Sequence, residues 1–193
     1  GKTGGGEILL GGDWQGSGDL LQATYINIDD ATTISADALE SGSGGTIVAW
    51  SDIKNANSFT KVSGTLSAKG IDGDGGQIET SGAELDTNGI KIDTSSISGS
   101  YGNWLVDPTN LTIGSSEAST YASNLSSTDV TLTADKSAVI YNSSGSSPTP
   151  SGNITFTAST KNFTHPRFRF ILDGTTGSFS SGNGDQRSGD NIY

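Results

Sequence analysis

The sequence contains no cysteine and a single histidine among its 193 residues. Without thiols there can be no disulfide, no iron–sulfur cluster and no thiolate zinc site. One histidine removes Cys–His chemistry and most histidine-dependent metal sites, and leaves a Ser–His–Asp triad dependent on His165 alone. His165 stands immediately before Pro166, and Gly16-Ser17-Gly18 reads as a glycine corner, not as the G-x-S-x-G of a nucleophile elbow. The chain is therefore not expected to be an enzyme. Long apolar runs are missing as well, since none approaches the ~20 residues needed to span a bilayer as a helix. Positive charge is scarce: 10 basic residues face 21 acidic ones, giving a net charge of −11. That balance suits neither nucleic-acid phosphates nor an anionic membrane surface. It does keep an edge-exposing β structure soluble by mutual repulsion.

Apolar residues make up only 31 % of the chain, below the roughly 45–50 % of globular domains. Glycine alone contributes 28 residues. The apolar residues come in short pulses rich in β-formers: ILL at 8–10, YINI at 25–28 and TIVAW at 46–50. The pulses repeat. Thr33-Ile34-Ser35-Ala36 leads to Gly44-Gly45-Thr46-Ile47, and Thr65-Leu66-Ser67-Ala68 leads to Gly75-Gly76-Gln77-Ile78. Gly5-Gly6-Glu7-Ile8 is an earlier copy of the second half.

In T-I-S-A the apolar residues alternate with polar ones, as in a strand with one buried face. Double glycines reach positive φ and let backbones approach closely at corners. Identical corners in succession favour parallel stacking, so the fold class expected is all-β, a parallel β-helix (β-solenoid) with coils of about 20 residues. A thin core shared between coils explains how so few apolar residues suffice. No segment is read as a helix. Further strands are expected at 89–93, 104–106, 110–113, 130–133, 138–141 and 153–157. The coils are expected over residues 1–160, with a protruding loop at SSGSSPTPS, 143–151. Residues 161–193 form an atypical segment holding all three arginines and the run FTHPRFRF. It reads as a cap, an edge cover or a contact to a neighbouring molecule.

Two stretches carry a family resemblance: GGDWQGSG at 11–18 and GNWLVDPTNLTI at 102–113, with the repeat ISADALESGSGGTIVAWSD at 34–52 between them. Together they resemble filamentous-haemagglutinin-like exoproteins, the large partners of two-partner secretion, over roughly the first 115 residues. The resemblance implies a right-handed parallel β-helix. It also implies export through an outer-membrane transporter that recognises an amino-terminal domain not seen in this sequence, and a place at the bacterial cell surface or in the medium. The tail after Lys161 departs from the family pattern.

Several side chains could carry chemistry. Asp29 with Asp30, or Asp72 with Asp74, could pair as catalytic acids in a polysaccharide-degrading β-helix. Adjacent strand residues face opposite ways, however, and solvated turn acids account for them better. Asp72 and Asp74, in DGDGG, also form a weak calcium candidate, short of the six or more oxygens calcium needs. Trp14, Trp50 and Trp104 could stack on sugars, but packing between coils suits them better, together with Asp107 and Pro108 of the signature. N-x-[ST] sequons at Asn110, Asn124, Asn142, Asn153 and Asn162 are glycosylation candidates. No cofactor is expected. The reading is an adhesin or its rigid stalk, binding a host receptor or glycan. Alternatives are a self-assembling filament subunit (a homo-polymer), capture of a haem-carrying host protein, and a polysaccharide-degrading enzyme.

Overall fold

The computed structural model describes residues 1–134, and beyond them the backbone of two strands, Ser137–Ile140 and Phe168–Phe170. The chain is a parallel β-solenoid. Its main wall is a six-stranded parallel sheet of β1 (Glu7–Leu10), β4 (Thr46–Trp50), β7 (Gln77–Gly82), β10 (Asn103–Pro108), β12 (Asp129–Leu132) and β14 (Phe168–Phe170). A second wall stacks β2 (Tyr25–Ile28), β5 (Phe59–Val62) and β8 (Glu84–Asp86). A third stacks β3 (Thr33–Ser35), β6 (Thr65–Ser67) and β9 (Lys91–Asp93). A separate pair joins β11 (Asn110–Ile113) to β13 (Ser137–Ile140).

The register explains the repeats. Ile34 pairs with Leu66 and Leu66 with Ile92, so the two T-I/L-S-A copies lie one above the other. The third copy of that wall is Lys91-Ile92-Asp93-Thr94, which lacks the marker residues. In the main wall Ile8, Ile47, Ile78, Trp104 and Val130 form one inward column. From Glu7 to Thr46, Gln77, Asn103 and Asp129, successive rungs take 39, 31, 26 and 26 residues. The expected period of about 20 was too short, because each of the first three coils has three walls where two strands had been assigned.

Of the two expectations for the double glycines, the close backbone approach holds and the positive φ does not. Among the described residues the glycines at positive φ are Gly4, Gly11, Gly16, Gly42 and Gly89, none of them in a stacked G-G-x-I corner. What the corners need is the missing Cβ. A Cβ on Gly45 would lie 2.0 Å from the carbonyl oxygen of Gly6, and one on Gly76 would lie 2.0 Å from that of Gly45. Backbone stacks directly on backbone there, leaving no room for a side chain.

One element contradicts the sequence reading. Residues Ser115–Asn124 form an α-helix, α1, in the fourth coil, after β11. Ala118, Tyr121, Ala122 and Leu125 do carry the i, i+3, i+4, i+7 spacing, but two of the four are alanine, so the stripe is faint. Tyr121 and Leu125 are buried, and the Tyr121 ring meets Trp104 edge-on at 5.5 Å between centroids. The helix lies at the end of the third wall. The Asn124 side chain accepts from Ile92 N–H at 2.6 Å and donates to the Ile90 carbonyl at 3.0 Å, hydrogen-bonding β9 as the next strand would. Helix and amide together close an edge that would otherwise stay unpaired.

Strand expectations at 89–93, 104–106, 110–113, 130–133 and 138–141 correspond, within a few residues, to β9 through β13. The strand at 153–157 and the loop at 143–151 lie outside the described residues. Of the run FTHPRFRF, only Phe168–Phe170 is described, as β14 paired with β12.

Candidate functional site

The most unusual chemistry sits on the outer face of the main wall. In β4 and β7 the outward side chains Val48, Trp50, Glu79 and Ser81 are all buried, although they point away from the core. Over Trp50 and Glu79 lies a strap, residues 11–22, inserted between β1 and β2. Its ends meet through Ala23 N–H to the Gly11 carbonyl at 2.7 Å, so it is an Ω-type loop rather than part of a wall. Trp14–Gly16 makes a 3-10 turn within it, and Gln15 takes a positive φ of 51°.

The strap's composition follows from what lies beneath it. A Cβ on Gly12 would approach Trp50 Cδ1 to 2.4 Å, and one on Gly16 would approach Trp50 Cζ2 to 2.5 Å. The GGDWQGSG motif therefore keeps glycine where the strap lies against the Trp50 indole. That indole donates from Nε1 to Gln22 Oε1 at 3.0 Å. One strand over, the Glu79 carboxylate accepts from Gln15 N–H at 2.8 Å and from the Ser81 hydroxyl at 2.9 Å. Among the described residues no basic group is hydrogen-bonded to it. Burial pushes its carboxyl up to about 7 against the pull of those two donors, and Asp107 adds to the rise.

Glu79 was missed in the sequence because its strand, QIETSG, reads as an ordinary alternating strand with an exposed acid. The only available signal was the glycine-rich insertion upstream.

The sequence candidates go to separate places. Asp72 accepts from Gly42 N–H in the coil below, and Asp74 from Ser100 N–H at 2.8 Å in the coil above. Both acids thus staple neighbouring corners together. No group of three metal-ligating residues occurs among the described residues. Asp29 accepts from the Thr32 hydroxyl at 2.6 Å within a turn, and Asp30 is exposed beside it. Trp104 is a core residue whose Nε1 donates to Thr80 at 3.1 Å. Trp14 is half-buried in the strap. Asp107 accepts from the Thr133 hydroxyl, and Pro108 ends β10 opposite Gly82.

Among the sequons, Asn110 is exposed on β11. Asn124 is buried with its amide nitrogen donating to two carbonyls, so glycan attachment there is incompatible with the folded chain. Asn142, Asn153 and Asn162 lie outside the described residues.

A cleft of about 190 Å³ opens where β8 and β11 part, lined by Leu85, Leu111 and Tyr121 with Glu84, Asp86 and Glu117. Two of its carboxylates are committed within the fold: Asp86 to Lys61 at 2.9 Å, and Glu117 to Asn88 and to Gly114 N–H. Compared with known proteins, the chain matches no family model, no curated protein and no solved structure.

Proposed function

We propose that this chain is a section of a secreted bacterial surface exoprotein of the filamentous-haemagglutinin-like kind, acting as an adhesin or as its rigid stalk and not as an enzyme. The observation that carries this reading is the parallel ladder of the main wall, which runs through its six described strands without a change of direction. A ladder of this kind transmits force along its axis and offers long outer faces rather than a pocket. Support also comes from the two signature stretches: one builds the strap, the other builds β10 and β11. Six strands spaced ~4.8 Å apart rise only about 24 Å, so the section contributes to a stalk by joining further coils. In this reading a transporter in the outer membrane exports the chain, and a host receptor or glycan is the partner.

The test is attachment of chain-coated beads to host cells, together with stretching of single molecules. Specific attachment supports the adhesin role, and high resistance to extension without attachment supports the stalk. Weak unfolding force together with no attachment would contradict both.

A second reading, a self-assembling filament subunit, is favoured by one specific feature. β1, β2 and β3 each stand first in their sheets with one edge unpaired among the described residues, and Ile8, Leu10, Ile26 and Ile34 beside them are only half-buried. Such edges accept another parallel coil. Sedimentation across protein concentrations tests this: growing particles support the filament, and a constant monomer rules it out.

A further inference from the structure

The strap and the carboxylate beneath it form a connected device, and the inference from them does not depend on the exoprotein reading. Glu79 points out of the coil, so the strap is what separates it from water. The groups around it are of one sign or neutral. On its own strand, residues 77–82 contain no other titratable side chain, and β4 contains none. β10 contributes Asp107, and the strap contributes Asp13 and Asp19, with Asp13 tied to Leu20 N–H at 2.8 Å. No cation stands on any of these elements.

A protonated Glu79 fits this setting, because the Ser81 hydroxyl can reverse and accept the carboxyl proton while Gln15 N–H still donates. An ionised Glu79 does not fit. Its charge would be held by two neutral donors, near other acids, and without water.

Few contacts hold the strap down: Gln15 N–H on Glu79, Trp50 Nε1–H on Gln22, and two glycines against the indole. Gln15 adopts a left-handed conformation that non-glycine residues avoid, and it keeps that conformation while donating to Glu79. The base of the strap is anchored independently by the Gly11–Ala23 hydrogen bond and by the bridge between Ala23 and Ser51. The loop can therefore lift without unravelling the walls.

We propose that residues 11–22 form a proton-latched cover, closed over the Trp50 indole while Glu79 is protonated and lifted when Glu79 ionises. Lifting uncovers the Trp50 indole on the main wall. Leu20 and Leu21 on the strap itself are already 49 % and 95 % exposed. The face is thus shut in acid and open in mildly alkaline surroundings.

The test uses the indole N–H resonances of the three tryptophans, with Trp50 assigned through Trp50→Phe. Between pH 4 and 9 the Trp50 signal should move with one midpoint at or below about 7, losing its hydrogen-bonded position, and acrylamide quenching should rise in parallel. Glu79→Gln, which keeps both hydrogen bonds without a charge, should hold the closed signal across the whole range. Gly16→Ala, which pushes a methyl into the indole, should give the open signal even at pH 5. A wild-type signal that stays fixed from pH 4 to 9 overturns the proposal. So does an unchanged transition in Glu79→Gln, or a closed signal in Gly16→Ala.

Discussion

At the scale of single residues, the fold depends on atoms that are absent and on one amide. The stacked corners tolerate no Cβ at Gly5, Gly45 or Gly76, whereas a Cβ on Gly6 would meet nothing within 4 Å. Neighbouring glycines should therefore behave in opposite ways. Gly45→Ala is expected to cost more than the roughly 1–3 kcal/mol of ordinary overpacking and to abolish cooperative melting. Gly6→Ala should be neutral, or stabilising by about 0.4–1 kcal/mol through the unfolded chain. Thermal melts of the two variants check this.

Asn124 provides the second case. Its truncation to alanine leaves Ile92 N–H and the Ile90 carbonyl unsatisfied at a buried edge. A loss of roughly 2–3 kcal/mol in urea unfolding is expected. The close backbone approach at the glycine corners was legible in the sequence, though with positive φ attached to it, whereas Asn124 read only as a sequon. What decides both is the coil stacked against them, which composition and spacing do not display.

At the scale of elements, the strands were the legible part. Alternation gave their positions, and recurrence of T-I/L-S-A and G-G-x-I gave their stacking, because in a solenoid equivalent residues meet one another. The helix α1 was hidden by its alanines, and the three-walled coil by the loss of marker residues in Lys91-Ile92-Asp93-Thr94. The strap was visible as a glycine-rich insertion, but its target was not, since Trp50 and Glu79 occupy positions that alternation assigns to solvent.

Covering those positions has a consequence for stability. Glu79 is raised from an ordinary value near 4.5 to about 7 by burial. Its folded value lies above its unfolded one, so its contribution is intact below about pH 4.5 and declines as pH rises. It is lost above about 7. The full loss corresponds to roughly 3 kcal/mol. The difference in unfolding free energy between Glu79→Gln and wild type should therefore shift by up to that amount in favour of the variant between pH 4 and 8. A pH-independent difference would show that the carboxylate is already ionised or exposed at acid pH.

At the scale of the whole molecule, a chain with little apolar content builds a continuous core by sharing it between coils. Ile47, Ile78 and Trp104 are each completely buried because each lies between neighbours one rung away. Every buried side-chain polar atom among the described residues has a hydrogen-bond partner. The long outer walls follow from the same plan. All of this depends on coils winding in one direction, with like residues in register. The most direct measurement is a set of cross-strand nuclear Overhauser contacts along the main wall. Parallel contacts joining Ile8 to Ile47, Ile47 to Ile78 and Ile78 to Trp104 are expected. Close Hα–Hα contacts between sequence-adjacent strands, the mark of antiparallel hairpins, would contradict the account.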